Sequence, residues 1–88
     1  MTGEAGDARV TLIGKPDCHL CDDAKAVIAD VCAQTGDSWR VLSIQDDPGL
    51  YDEYWERIPV VLVDGRPHDF YRVDPVRLTA ALSGAGDR

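Results

Sequence analysis

Cys18 and Cys21 are the residues whose type and spacing suit chemistry. They stand two residues apart in Gly14-Lys15-Pro16-Asp17-Cys18-His19-Leu20-Cys21. Two thiols at that spacing on a helix sit one turn apart, near enough for their sulfurs to close a small ring. The stretch falls where an apolar run gives way to an amphipathic pattern, so Cys18 is predicted at a helix start. Unpaired backbone N–H groups there favour a thiolate over a thiol. A thiolate beside a second thiol is suited to thiol–disulfide exchange, whose rate depends on thiolate fraction and access. Charged neighbours act in both directions. His19, if protonated, stabilises a thiolate and tunes the Cys18 pKa, whereas Asp17, Asp22 and Asp23 disfavour a further negative charge. The third cysteine, Cys32, falls on an apolar helix face and reads as inert packing.

The elements that must hold this pair can be read in order. Arg9 to Ile13 is a β-branched run ending at Gly14, the first expected strand. Leu20, Ala24, Val27, Ile28, Val31 and Cys32 recur at helical spacing, and Gly36 is a natural stop. Trp39 to Ile44 is a second strand, which a helical crossover makes parallel to the first. Asp47 can cap and Pro48 can open a short helix over Leu50 to Glu56, with Tyr51 and Trp55 one turn apart. Tyr51, Tyr54 and Trp55 read as core and rim rather than a binding platform, although one of them, standing before Ile58-Pro59, could line a substrate groove. Ile58 to Val63 is the most apolar run and is expected as a buried strand. Asp64-Gly65 then predicts a tight hairpin into a strand over Arg66 to Arg72, with His68 solvated. Asp74-Pro75 repeats the cap-then-proline device, and Val76, Leu78, Ala81 and Leu82 are expected as the last helix's apolar face.

Eighty-eight residues allow one domain with one core. The expected organisation is a frayed segment 1–8, a domain over 9–83 and a flexible tail 84–88. A formal net charge of −7, with nine scattered cations, argues against nucleic-acid backbones and anionic membrane surfaces. No apolar run is long enough to span a membrane, and residues 1–9 hold no apolar stretch of the signal-peptide kind, so the expected location is cytoplasmic. Three cysteines are too few for a secreted disulfide scaffold.

The order β-α-β-α-β-β-α, the Lys15-Pro16-Asp17-Cys18 lead-in, the Cys18-His19-Leu20-Cys21 centre, Ile58-Pro59 and the Asp64-Gly65 turn together resemble the thioredoxin superfamily, in its glutaredoxin-like branch. The resemblance spans about residues 9–83. It implies an α/β, thioredoxin-like fold: a mixed four-stranded sheet with helices on both faces. It also implies a thiol–disulfide oxidoreductase with a dithiol mechanism, in which Cys18 is the exposed nucleophile and Cys21, more buried, resolves the mixed disulfide. Pro59 is then cis and presents the backbone of Ile58 to an extended substrate. On residue grounds alone, Pro59 can also be read as a proline tolerated at a strand's first position. Lys15 can stabilise the thiolate, bind a carboxylate of a thiol peptide, or stand as an ordinary surface cation.

The resemblance further implies no tightly bound cofactor, glutathione or another low-molecular-weight thiol as reductant, and protein or small-molecule disulfides as partners of a monomer. A thiol reductase is the alternative source of electrons. Glutaredoxins that use glutathione carry Thr-Val before the cis-proline and a Gly-Gly-x-Asp turn before the last helix. The equivalents here are Arg57-Ile58 and Tyr71-Arg72-Val73-Asp74. Arg57 can still bind a carboxylate and Asp74 is kept, but bulky side chains replace the two glycines where a γ-glutamyl group approaches the backbone. Two other classes stay open: a metal or iron–sulfur module held by Cys18 and Cys21, and a non-catalytic peptide-binding adaptor.

Overall fold

The computed structural model describes residues 8–83. The expected frayed segment (apart from Ala8) and the expected tail 84–88 lie outside the described residues. The elements run β1 (Val10–Gly14), α1 (His19–Thr35), β2 (Trp39–Ser43), α2 (Pro48–Tyr54), β3 (Val60–Val63), β4 (Arg66–Phe70) and α3 (Pro75–Leu82). The sheet order is β2-β1-β3-β4. β1 pairs parallel with β2 and antiparallel with β3, which pairs antiparallel with β4. This is the expected mixed four-stranded thioredoxin-like sheet.

β1 is central, so both its faces are covered and all five residues are buried. Alternation along the strand separates two cores. Val10 and Leu12, with Val61 of β3, pack under Ala24, Ile28, Val31 and Cys32 of α1 and Leu78 and Leu82 of α3. Ile13 and Val60 point to the other face, where Ile44 joins them and Leu50 and Tyr54 of α2 cover them. Helices therefore lie on both faces. Thr11 is a buried polar side chain, and its hydroxyl accepts a hydrogen bond from Arg40 Nε at 3.2 Å.

The helix ends follow local chemistry. Gly36 closes α1 at φ 83°, a left-handed conformation that costs glycine little, and its N–H donates to the Cys32 carbonyl. Asp47 and Asp74 each cap the following helix with a carboxylate, and proline follows in both. Asp64 and Gly65 have φ 53° and 83°, the pair of positive values that a two-residue hairpin turn demands.

The structure corrects several boundaries and exposures. β1 begins one residue later than expected and takes in Gly14. α2 spans Pro48–Tyr54 and not Leu50 to Glu56. β3 begins at Val60, and its Leu62 and Val63 are only half-buried. β4 stops at Phe70, because Tyr71 turns to φ 69° and leaves the strand region. Val76, expected on the apolar face of α3, is 75% exposed. His68 is not a freely solvated hairpin residue. The β3–β4 register shifts between Val61, opposite Asp69, and Leu62, opposite Pro67, so His68 falls in a bulge, with Nε2 buried and lacking a hydrogen-bond partner.

Candidate active site

The cysteine pair stands where β1 runs out. Lys15, Pro16 and Asp17 form an exposed loop after Gly14. Asp17 takes φ 59°, a left-handed conformation that a short polar side chain tolerates better than most. That turn delivers Cys18 as the N-cap of α1. The Cys18 Sγ accepts a hydrogen bond from the backbone N–H of Cys21 at 3.2 Å. The sulfur thus occupies the place that a serine or aspartate oxygen takes at an ordinary helix start, beside the positive end of the helix dipole. Cys18 and Cys21 lie at disulfide distance, with Cα atoms 5.1 Å apart. Exposure is unequal: Cys18 is half-buried, whereas Cys21 is 7% exposed.

The Ile58–Pro59 peptide bond is cis. Because Ile13 pairs with Val60 in the antiparallel β1–β3 ladder, Gly14 and Pro59 lie at the same end of the sheet. Pro59 is fully buried and Ile58 half-buried among the residues under α2. Tyr71 ties this loop to the end of β4. Its N–H donates to the Pro59 carbonyl at 2.7 Å, and its hydroxyl donates to the Glu56 carbonyl at 3.2 Å.

Two grooves flank the start of α1. One, of about 260 Å³, lies between Leu20, Asp23, Ala24 and Val27 of α1 and the Tyr71-Arg72-Val73 segment. The other, of about 240 Å³, runs along β2 and is lined by Gly14, Lys15, Pro16, Cys21 and Lys25 among others.

Of the remaining candidates, Lys15 lines the β2-side groove with an exposed side chain, and His19 is the exposed first residue of α1. Arg57 is exposed and its guanidinium lies 5.6 Å from the centroid of the Phe70 ring, a cation–π arrangement. The Asp74 carboxylate accepts hydrogen bonds from the N–H groups of Val76 and Arg77 at 2.8 and 3.3 Å. Its position is therefore a structural cap. Cys32 lies in the core under α1, where burial, aided by Asp37, pushes its thiol up from the ordinary value. Among the described residues, no group of three His, Cys, Asp or Glu side chains is placed to hold a metal ion. No described helix is long and apolar enough to cross a membrane.

One site residue was not singled out from the sequence. A Cβ built on Gly14 would lie 2.8 Å from the Cys21 Sγ and 3.3 Å from its Cβ. The only sequence signal is the position itself, a glycine at a strand end beside a thiol motif, which marks close approach of other atoms.

Residues 9–83 match the model of one protein family, the glutaredoxin-like domain (DUF836). The chain belongs to that family. It is 30% identical over 80 residues to uncharacterized proteins of Mycobacterium tuberculosis and Mycobacterium bovis, covering 85% of this chain and 82% of each relative. Among solved structures, an X-ray structure of an X. campestris protein is 34% identical, with a TM-score of 0.70 over 85% of this chain and 96% of its own. The holo form of glutaredoxin C1 from Populus tremula x tremuloides is 20% identical, with a TM-score of 0.56 over 92% of this chain and 89% of its own. At that identity the likeness shows the fold alone. The family member described here is thus a glutaredoxin-like domain carrying a Cys18–Cys21 pair at disulfide distance.

Proposed function

We propose that this domain is a thiol–disulfide oxidoreductase with Cys18 as nucleophile and Cys21 as resolving thiol. The observation that carries the reading is the placement of the Cys18 sulfur as acceptor at the N-terminus of α1 with Cys21 in bonding reach behind it. The helix N–H group that meets Cys18 would hydrogen-bond a thiolate, and half-burial leaves that thiolate open to attack a substrate disulfide in line. One substrate sulfur leaves with the electron pair, and a mixed disulfide with Cys18 remains. The Cys21 thiolate, its proton given up to solvent or to the departed thiolate, then attacks the Cys18 sulfur and releases the second substrate thiolate. The dithiol is oxidised and the substrate disulfide reduced, two electrons in each case.

The substrates in this reading are protein or small-molecule disulfides, with the substrate backbone laid beside Ile58 and cis-Pro59 as an added strand. Lys15 and Arg57 offer cations to substrate carboxylates, and His19 adjusts the charge beside the nucleophile. A low-molecular-weight thiol, glutathione among them, or a reductase would return the pair to the dithiol in the cytoplasm. Bulky Tyr71 and Arg72, where the glutaredoxin pattern carries two glycines, would favour a thiol that makes no close backbone contact there.

A redox titration tests the reading. The protein is equilibrated in graded dithiol/disulfide buffers, alkylated and scored by intact mass. A reversible two-thiol transition between roughly −280 and −180 mV is expected. A potential below about −300 mV, or no Cys18–Cys21 disulfide, would overturn the reading. In the latter case metal and iron content of the purified protein would separate a metal module from an adaptor.

A further inference from the structure

We infer that Gly14 is a positioning residue for Cys21: its missing side chain is the notch that lets the Cys21 sulfur reach the place from which it bonds to Cys18. The inference rests on the dithiol reading above and adds a residue that sets its equilibrium and its second step.

A Cβ at position 14 would stand 2.8 Å from the Cys21 Sγ. Carbon–sulfur contacts ordinarily lie near or above the roughly 3.5–4.0 Å typical of carbon pairs, so one of the two atoms would have to move. Neither is free to do so in the disulfide. The Gly14 backbone is pinned in the sheet. It pairs with Ser43 of β2, and its carbonyl accepts the Ile44 N–H at 2.9 Å. Cys21 is pinned at the other side, because in the disulfide its sulfur is bonded to a residue that is itself the helix cap.

The dithiol differs in one respect. With the S–S bond absent, the Cys21 thiol can rotate about χ1 into another staggered well open to helical residues, and so leave a methyl group room. A methyl at position 14 therefore penalises the disulfide more than the dithiol, in which the sulfur has moved away and only the 3.3 Å contact with the Cys21 Cβ, common to both states, remains. Resolution is penalised likewise, since the Cys21 thiolate must occupy the same place to attack the Cys18 sulfur, form the Cys18–Cys21 bond and expel the substrate thiolate with its electron pair. The first step, attack by Cys18, does not use that place.

The test is Gly14→Ala in the titration just described, with reduced and oxidised dithiothreitol as the buffer couple. The expected result is a shift of the oxidation equilibrium toward the dithiol by about tenfold, equivalent to about 30 mV for a two-electron couple. When reduced Gly14→Ala is mixed with 2-hydroxyethyl disulfide, intact mass should show a mixed disulfide on Cys18 that persists longer than in the wild type. The rate at which iodoacetamide alkylates Cys18 in the reduced protein should be unchanged. An equilibrium that does not move overturns the inference, as does an alkylation rate that changes in step with it. If Gly14→Ala does not fold, the double variant Gly14→Ala/Cys21→Ala decides: recovery of the fold assigns the conflict to the Cys21 sulfur, and failure overturns the inference. A wild-type protein with no reversible two-thiol transition overturns the dithiol reading and this inference together. A normal wild-type transition with an unmoved variant overturns this inference alone.

Discussion

Arg9→Met is expected to destabilise the domain without touching its redox chemistry. Arg9 precedes β1 and closes the end of the sheet opposite the cysteines. Its Nε and Nη2 donate to the two carboxylate oxygens of Asp64 at 3.1 and 2.9 Å, and its Nη1 donates to Asp37 at 3.3 Å and to the Leu82 carbonyl at 3.1 Å. One side chain thus joins the start of β1, the hairpin turn, the loop before β2 and the C-terminus of α3. The Asp64 pair is largely exposed and contributes only about 0.2–1 kcal/mol after screening. The bonds to Asp37 and to the last turn of α3 are part-buried, and a cation near a helix C-terminus adds about 0.3–1 kcal/mol. A net loss of about 1–2 kcal/mol follows, which in a domain of this size lowers Tm by roughly 5–15 °C. Methionine keeps the aliphatic stem, so lost packing is small. The hydrogen bond from Arg9 holds Asp64 below the usual carboxylate range. A carboxylate depressed in the folded state stabilises fully above its unfolded value of about 3.9, and that stability disappears as pH falls through the lower folded value. The gap between wild type and Arg9→Met should therefore be constant from about pH 7 to 5 and narrow below about pH 4. Thermal unfolding followed by circular dichroism reads both effects. Because Arg9 and Gly14 are separated by about 17 Å of strand, the redox midpoint should stay where it is. A Tm within about 2 °C of wild type, or a gap that widens in acid, would refute the clamp.

Asp74→Ala removes the carboxylate that accepts two N–H groups at the start of α3 and should cost about 0.5–2 kcal/mol in chemical denaturation, whereas Asp74→Asn should recover most of it. Rescue by asparagine would show that the residue works here as a cap rather than through its charge. Cys32 is 3% exposed and its thiol is pushed up by burial, so iodoacetamide should label reduced native protein at Cys18 first and reach Cys32 only in denaturant. Peptide mapping of the labelled protein reads the order, and early labelling of Cys32 would refute its place in the core.

What could be read along the chain was what neighbours in sequence decide. Gly36, Asp47-Pro48, Asp64-Gly65 and Asp74-Pro75 each act within a turn of their own position, and each stands where local chemistry placed it. Val76 went wrong for a reason of the same kind. Two residues along a helix are about 200° apart around its axis, so Val76 and the buried Leu78 cannot share a face. The Arg9 clamp was out of reach because its partners lie 28, 55 and 73 residues away. Nothing around Arg9 in the sequence names them.

The site divides along the same line. The cysteine pair is local, one turn of helix with an N-cap, and so its chemistry was open to a reading of eight residues. What sets the pair's behaviour is brought to it by the sheet. Gly14 meets Cys21 only because β1 ends beneath the first turn of α1, and cis-Pro59 arrives at that end only because β3 runs antiparallel to β1 in the Ile13–Val60 register. Tyr71, just past the end of β4, then fixes that loop through the Pro59 and Glu56 carbonyls. A bulky residue held at φ 69° is costly, by about 1–2 kcal/mol relative to glycine at such a position. Tyrosine offsets part of that cost by its hydroxyl bond to Glu56, which glycine cannot make. Tyr71 thereby braces the cis-proline loop from the segment that follows β4.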